Sequence, residues 1–135
     1  MTSETVWNSF RGSAARCAVV GLDFAAALAI YLSYGLSVLG FDAEAPSGST
    51  GTLQHKVEAL TSKDVLVALS FGQCLRDTVE AVLRAKRQGV PTFGITDSDT
   101  TPLARYCDTH IVASVVSPSF LNSYVAPTAA INAIL

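Results

Sequence analysis

The sequence predicts an α/β fold: a three-layer sandwich around a five-stranded, parallel, flavodoxin-like doubly wound sheet. Three observations predict it. Short apolar runs of strand length alternate with longer stretches of helical character along the whole chain. The runs are apolar at nearly every position, as in strands covered on both faces. Five such runs fit within 135 residues, enough for one domain with a sizeable core.

The first run, Cys17 to Leu22, ends at a glycine-containing turn. Phe24 to Leu39 follows as an Ala- and Leu-rich helix stopped by Gly40. Asp42 to Ala45 reads as a short strand, residues 46–51 as a loop, and Thr52 to Leu60 as a short helix. Asp64 to Ser70 is the clearest buried strand. Leu75 to Gln88 is the clearest helix, with Leu75, Val79, Val82 and Leu83 on one face. Its acids, Asp77 and Glu80, precede its bases, Arg84, Lys86 and Arg87, the order that the helix dipole favours. Gly89 and Pro91 stop it. Pro91 to Thr96 forms the fourth strand, Pro102 to Tyr106 a helical turn, and His110 to Val116 the fifth strand. Phe120 to Leu135 reads as a helix that Pro127 would kink or split.

Composition excludes several classes. Half the residues are hydrophobic and 15% are charged, so the chain is not intrinsically disordered. A net charge of −2 leaves no electrostatic footprint for nucleic acid. Cys17, Cys74 and Cys107 are odd in number and widely spaced, which argues against a disulfide framework or structural zinc and for a reducing cytoplasm. The uncharged stretch from Phe24 to Phe41 is flanked by Asp23 and Asp42, and polar residues interrupt it. It suits a buried helix better than a membrane span.

In a doubly wound sheet, ligands bind at the carboxyl ends of the strands, where the strand order reverses. Those ends are the loops after Leu22, Ala45, Ser70, Thr96 and Val116. Ser70-Phe-Gly-Gln-Cys74 joins a strand to a helix, so the Gly72 and Gln73 amides and the Ser70 hydroxyl could hold a phosphate or carboxylate, with Arg76 nearby. The competing role for Ser70 is a helix cap. Thr96, Ser98 and Thr101 supply hydroxyls that could meet a sugar, or could cap the turn at Pro102. Ser47, Ser49, Thr50 and Thr52 form a third hydroxyl-rich segment on the same edge. Asp97 and Asp99 match no calcium loop, and no cofactor or metal site is expected. His55 reads as a surface residue, and His110 begins a strand at the end away from the ligand edge. Neither is placed as a general base. Cys74 lacks a histidine partner and is read as incidental.

Several of these segments together resemble a known family. Asp64-Val-Leu-Val-Ala-Leu-Ser70-Phe71, Arg76-Asp-Thr-Val-Glu80, Ala85-Lys-Arg-Gln-Gly89, Phe93-Gly-Ile-Thr-Asp-Ser98, Thr101-Pro-Leu-Ala-Arg105 and Asp108 resemble the sugar isomerase (SIS) domain. With Ser117-Pro-Ser-Phe-Leu-Asn-Ser-Tyr-Val125 they are closest to the effector domain of RpiR-type bacterial transcriptional regulators. The resemblance implies a homodimer that binds a phosphorylated sugar or sugar acid, with phosphate in the loop after the third strand. Gly21 and Asp23 in the loop after the first strand, and Thr52 in the hydroxyl-rich segment, are further candidates to line the site. It implies that DNA is met only through a helix-turn-helix domain. No such domain fits before Val19, so residues 1–18 are expected as a lead-in and 19–135 as the SIS domain.

The chain departs from the family at two loops. Many SIS domains carry Ser-x-Ser-Gly-x-Thr where this chain has Ser70-Phe-Gly72-Gln73-Cys74-Leu75, leaving only the first serine in register. Where Gly-x-Gly-x-Ser is usual, Gly21-Leu-Asp23-Phe24-Ala25 puts a negative charge near an incoming phosphate. The leading expectation is a non-catalytic, sugar-phosphate-sensing module without membrane contact. An aldose–ketose isomerase would need a base, for which Glu44 and His55 are the candidates. A dimerisation module that has lost its ligand is the third reading.

Overall fold

The computed structural model describes residues 16–46, 50–72, 74–116, 123 and 125–135. Within them the chain runs β1 (Cys17–Gly21), α1 (Phe24–Val38), β2 (Ala43–Glu44), α2 (Thr50–Glu58), β3 (Val65–Ser70), α3 (Arg76–Arg87), β4 (Thr92–Thr96), α4 (Pro102–Tyr106), β5 (Thr109–Val112) and α5 (Val125–Ile134). The sheet order is β2-β1-β3-β4-β5 and every pairing is parallel. The expected flavodoxin-like order is therefore present. The strand order reverses between β1 and β3, where Gly21 lies beside Leu69 in register.

Strand alternation divides the core into two. Cys17 and Val19 of β1, with Val65, Val67 and Leu69 of β3, face α1 and α5. Ala18, Val20, Leu66 and Ala68 face α2, α3 and α4. Both sides of β3 are covered, which is why its sequence is apolar at almost every position. Gly21 is needed where β1 meets α1: a Cβ there would stand 2.6 Å from the Ala25 carbonyl oxygen.

Several expected boundaries move, and the helix expected over Thr52–Leu60 spans Thr50–Glu58, starting inside the expected loop. The fifth strand stops at Val112 instead of Val116, and its last ladder partner is Thr96. The second strand shrinks to Ala43–Glu44. The last helix begins at Val125, so Pro127 sits in its first turn and kinks nothing. Amides there have no intrahelical acceptor, and a residue without an N–H costs no bond. Residues 120–122 and Tyr124, expected to open that helix, lie outside the described residues, as do residues 117–119.

Candidate functional site

The carboxyl ends of β1, β3 and β4 lie side by side in the sheet, and the loop after β4 is rich in polar groups. Ser70 closes β3 opposite Thr96, the last residue of β4. Phe71 is buried and Gly72 turns the chain outward at φ 73°. This left-handed turn favours glycine. Gln73 lies outside the described residues, as do Ser47 and Ser49.

Ser70 does not cap the following helix. It is a buried strand residue, and the N-cap position of α3 belongs to Leu75, which makes no side-chain capping bond. Arg76 is exposed at the first position of α3 and forms no ion pair among the described residues.

The loop after β4 reaches across to the loop after β3. The Gly72 N–H donates to Asp97 Oδ2 at 3.1 Å. The other carboxylate oxygen lies 3.5 Å from Thr96 Oγ1. Thr96 is fully buried, and its hydroxyl pairs with that of Thr101 at 2.8 Å. Thr101 also caps α4, accepting from the Ala104 N–H at 3.3 Å. Ser98 Oγ pairs with Thr100 Oγ1 at 2.9 Å and accepts from the Thr100 N–H at 3.2 Å. The hydroxyls of this loop are thus engaged mainly with one another.

On the β1 side, Gly21 ends the strand and Asp23 occupies the N-cap of α1 without a side-chain capping bond. Its backbone, at φ 55° and ψ −123°, takes a conformation that suits glycine, the residue the family resemblance calls for here. Thr52 is exposed in the first turns of α2.

His110 is placed differently from the expectation. Its residue belongs to β5, but its Nε2 lies 3.0 Å from Asp99 Oδ1, so the ring points toward the loop after β4. The two candidate bases for an isomerase do not converge there. Glu44 pairs with Lys56 at 3.0 Å, and both line a cavity of about 150 Å³ with Arg16, Cys17 and Asp42 at the amino ends of the strands. His55 is exposed on α2.

Among the described residues, no group of three or more His, Cys, Asp or Glu could hold a metal ion. Burial pushes the Cys17 thiol up to about 12. Burial, with the Asp108 charge, does the same to Cys107. Neither thiol is a nucleophile near neutral pH. No described helix is long and apolar enough to cross a membrane.

A doubly wound parallel sheet with an amide-bearing loop at its switch point defines a class of strand-end ligand-binding domains. The sequence profile of the SIS domain matches residues 13–135, and the chain belongs to the SIS domain family. Its RpiR character rests on a solved relative: the sugar isomerase domain of an RpiR transcription factor from Sphaerobacter thermophilus. The two are 34% identical over 97% of this chain and 73% of that one, with a TM-score of 0.86. The Vibrio vulnificus NanR protein, solved in complex with ManNAc-6P, shares the fold at 17% identity and a TM-score of 0.85. That match covers 97% of this chain, which spans half the length of the NanR chain. A protein of E. coli CFT073, solved in complex with another sugar phosphate, is alike in fold at 13% identity and a TM-score of 0.78, over 97% of this chain and 72% of that one. No curated protein matches the chain in sequence.

The signal that sequence reading missed is the bond between Asp97 and Gly72. The two residues are 25 positions apart. What could have found it is the pairing of β3 with β4, which puts the residues just past Ser70 and Thr96 side by side.

Proposed function

We propose that this chain is the effector module of an RpiR-type transcriptional regulator, sensing a phosphorylated sugar or sugar acid without turning it over. The observation that carries the reading is the Gly72 amide at the switch point, which already holds an anionic oxygen, that of Asp97. An amide held in a left-handed turn at the end of a parallel strand is a donor for phosphate oxygens. Ser70 and the amides of Gly72 and Gln73 would hold the phosphate. Ser98, Thr101 and Thr96 would order the sugar side, with Gly21, Asp23 and Thr52 across the crevice. The 34% identity with the RpiR relative supports the regulatory role. The neighbours solved with ManNAc-6P and with a second sugar phosphate support the ligand class.

The regulatory partner is a second copy of the chain. Ile30, Tyr34 and Val38 recur every fourth residue on α1 and are 58%, 72% and 69% exposed. An uncharged apolar stripe of this kind suits a homodimer interface. Ligand binding would bias the arrangement of two such copies, and an attached DNA-binding domain would read the difference.

A thermal-shift panel of sugar phosphates and sugar acids tests the reading. Ligand at one hundred times its Kd stabilises the fold by about 2.7 kcal/mol, a rise of several degrees. Ser70→Ala is expected to weaken binding about tenfold. No rise across the panel would favour the dimerisation module instead. One observation supports that second reading: Asp23 adds a negative charge to the crevice.

A further inference from the structure

Asp97 stands at the point where the proposed ligand's phosphate would enter. Ser70 and Thr96 are register partners on β3 and β4, so the residues that follow them emerge side by side. The Asp97 carboxylate spans that gap, with Oδ2 on the Gly72 N–H at 3.1 Å and Oδ1 facing the Thr96 hydroxyl at 3.5 Å. Thr96 is held in turn by Thr101 at 2.8 Å, and Thr101 is fixed by its capping bond to Ala104. The carboxylate therefore has a defined seat built from the backbone of one loop and the side chain of the next. It presents to the amide the same chemistry that a phosphate oxygen would present.

We propose that Asp97 is an intramolecular occupant of the anion loop: it holds the Gly72 amide in the unliganded protein, and a phosphate must displace it to bind. The proposal rests on the sugar-phosphate reading above and deepens it, because Asp97 then sets the ligand concentration at which the domain responds. Two costs act together. The incoming anion must replace a charge-assisted hydrogen bond already made. It must also approach a like charge across a few ångströms of partly exposed protein. Asn at this position keeps an acceptor for the amide and removes the charge. Ala removes both.

The whole chain and its Asp97→Asn, Asp97→Ala and Asp99→Asn variants are titrated with inorganic phosphate at constant ionic strength, following the Gly72 amide resonance. Asp97→Asn is expected to tighten phosphate binding about tenfold, and Asp97→Ala at least as much. Asp99→Asn removes the same charge from the same loop without freeing the amide, and is expected to change binding less than about threefold. Equal gains in the Asp97 and Asp99 variants would overturn the proposal in favour of a general field. So would Asp97 variants that bind no tighter than the wild type while Gly72 responds in all of them, and the reading of the loop as an anion site would then survive. A response seen in Asp97→Ala but absent from the wild type would support the occupant and sink the sensing role. No response in any variant would sink both.

Discussion

The two helical layers that cover the sheet solve the same packing problem with opposite surfaces. α1 and α5 bury Ala29, Leu32, Leu36 and Ile131 against β1, β3 and β4. Their outward side is uncharged, since no residue from Phe24 to Phe41 is charged and α5 carries no acid or base, and it carries a polar link, the Tyr31 hydroxyl donating to Asn132 Oδ1 at 2.6 Å. The opposite layer is sealed by polar links. Arg84 pairs with Glu58, and Lys86 reaches the Tyr106 carbonyl at 2.6 Å and Asp108 at 3.5 Å. The Gln88 amide caps the end of α2, donating to the Leu60 carbonyl at 2.9 Å and the Val57 carbonyl at 3.2 Å. One layer is closed by ion pairs and side-chain caps, and the other leaves Ile30, Tyr34 and Val38 of α1 exposed. These exposed residues, Ile30, Tyr34 and Val38, are where the proposed second copy would lie.

The largest expected effect probes the inner side of the unsealed layer. Leu36 is fully buried, so Leu36→Ala should destabilise the fold by roughly 2–5 kcal/mol in urea unfolding. A loss under about 1 kcal/mol would mean that α1 is not held against the sheet as described. The outer side comes next. Tyr34→Glu should leave the far-ultraviolet circular dichroism unchanged and weaken the proposed dimer by about 2 kcal/mol, near thirty-fold in its Kd, read by light scattering. Glu58→Gln, on the sealed layer, should leave that Kd within about twofold. Equal effects from the two would erase the contrast between the layers.

The smallest effect lies at the amino ends of the strands and is lost in acid. Asp64 is almost fully buried, and burial by itself raises its pKa. The Thr61 N–H at 2.8 Å and the Arg16 guanidinium at 3.1 Å more than offset this, holding the carboxyl below its ordinary range. A folded-state pKa below the unfolded value, about 3.9, contributes stability above roughly pH 4 that is lost as pH falls through the folded value. Asp64→Asn should therefore be less stable at pH 7 and should show a shallower loss of stability below pH 4. An unchanged acid limb would remove Asp64 from the account.

The fold was legible because buried parallel strands write themselves as apolar runs, and Val65–Ser70 is the purest case. The order of charges from Asp77 to Arg87 marked α3 just as plainly. The fifth strand, expected over His110–Val116, ends at Val112; the expectation runs too far because Ala113 and Val115 are buried as well, and burial alone does not say where the ladder ends. Pro127 misled because a proline is harmless or disruptive according to where the helix starts, and Ser123, whose hydroxyl accepts from the Val125 N–H at 3.4 Å, falls inside the longer helix that the sequence predicts. At the candidate site the strand ends at Ser70 and Thr96 could be read directly. The mutual pairing of the Thr96 and Thr101 hydroxyls, the direction of the His110 ring and the reach of Asp97 could not. Each depends on how two loops lie across the sheet edge, which one-dimensional spacing does not encode.

Asp23 has a consequence of its own. A residue with a side chain, kept in a backbone state that suits glycine, works as a small loaded spring worth about 1–3 kcal/mol at the mouth of the crevice. Any contact that lets this turn relax recovers part of that energy. The loop after β1 therefore costs less to rearrange than an unstrained one would, and Asp23→Gly would unload it.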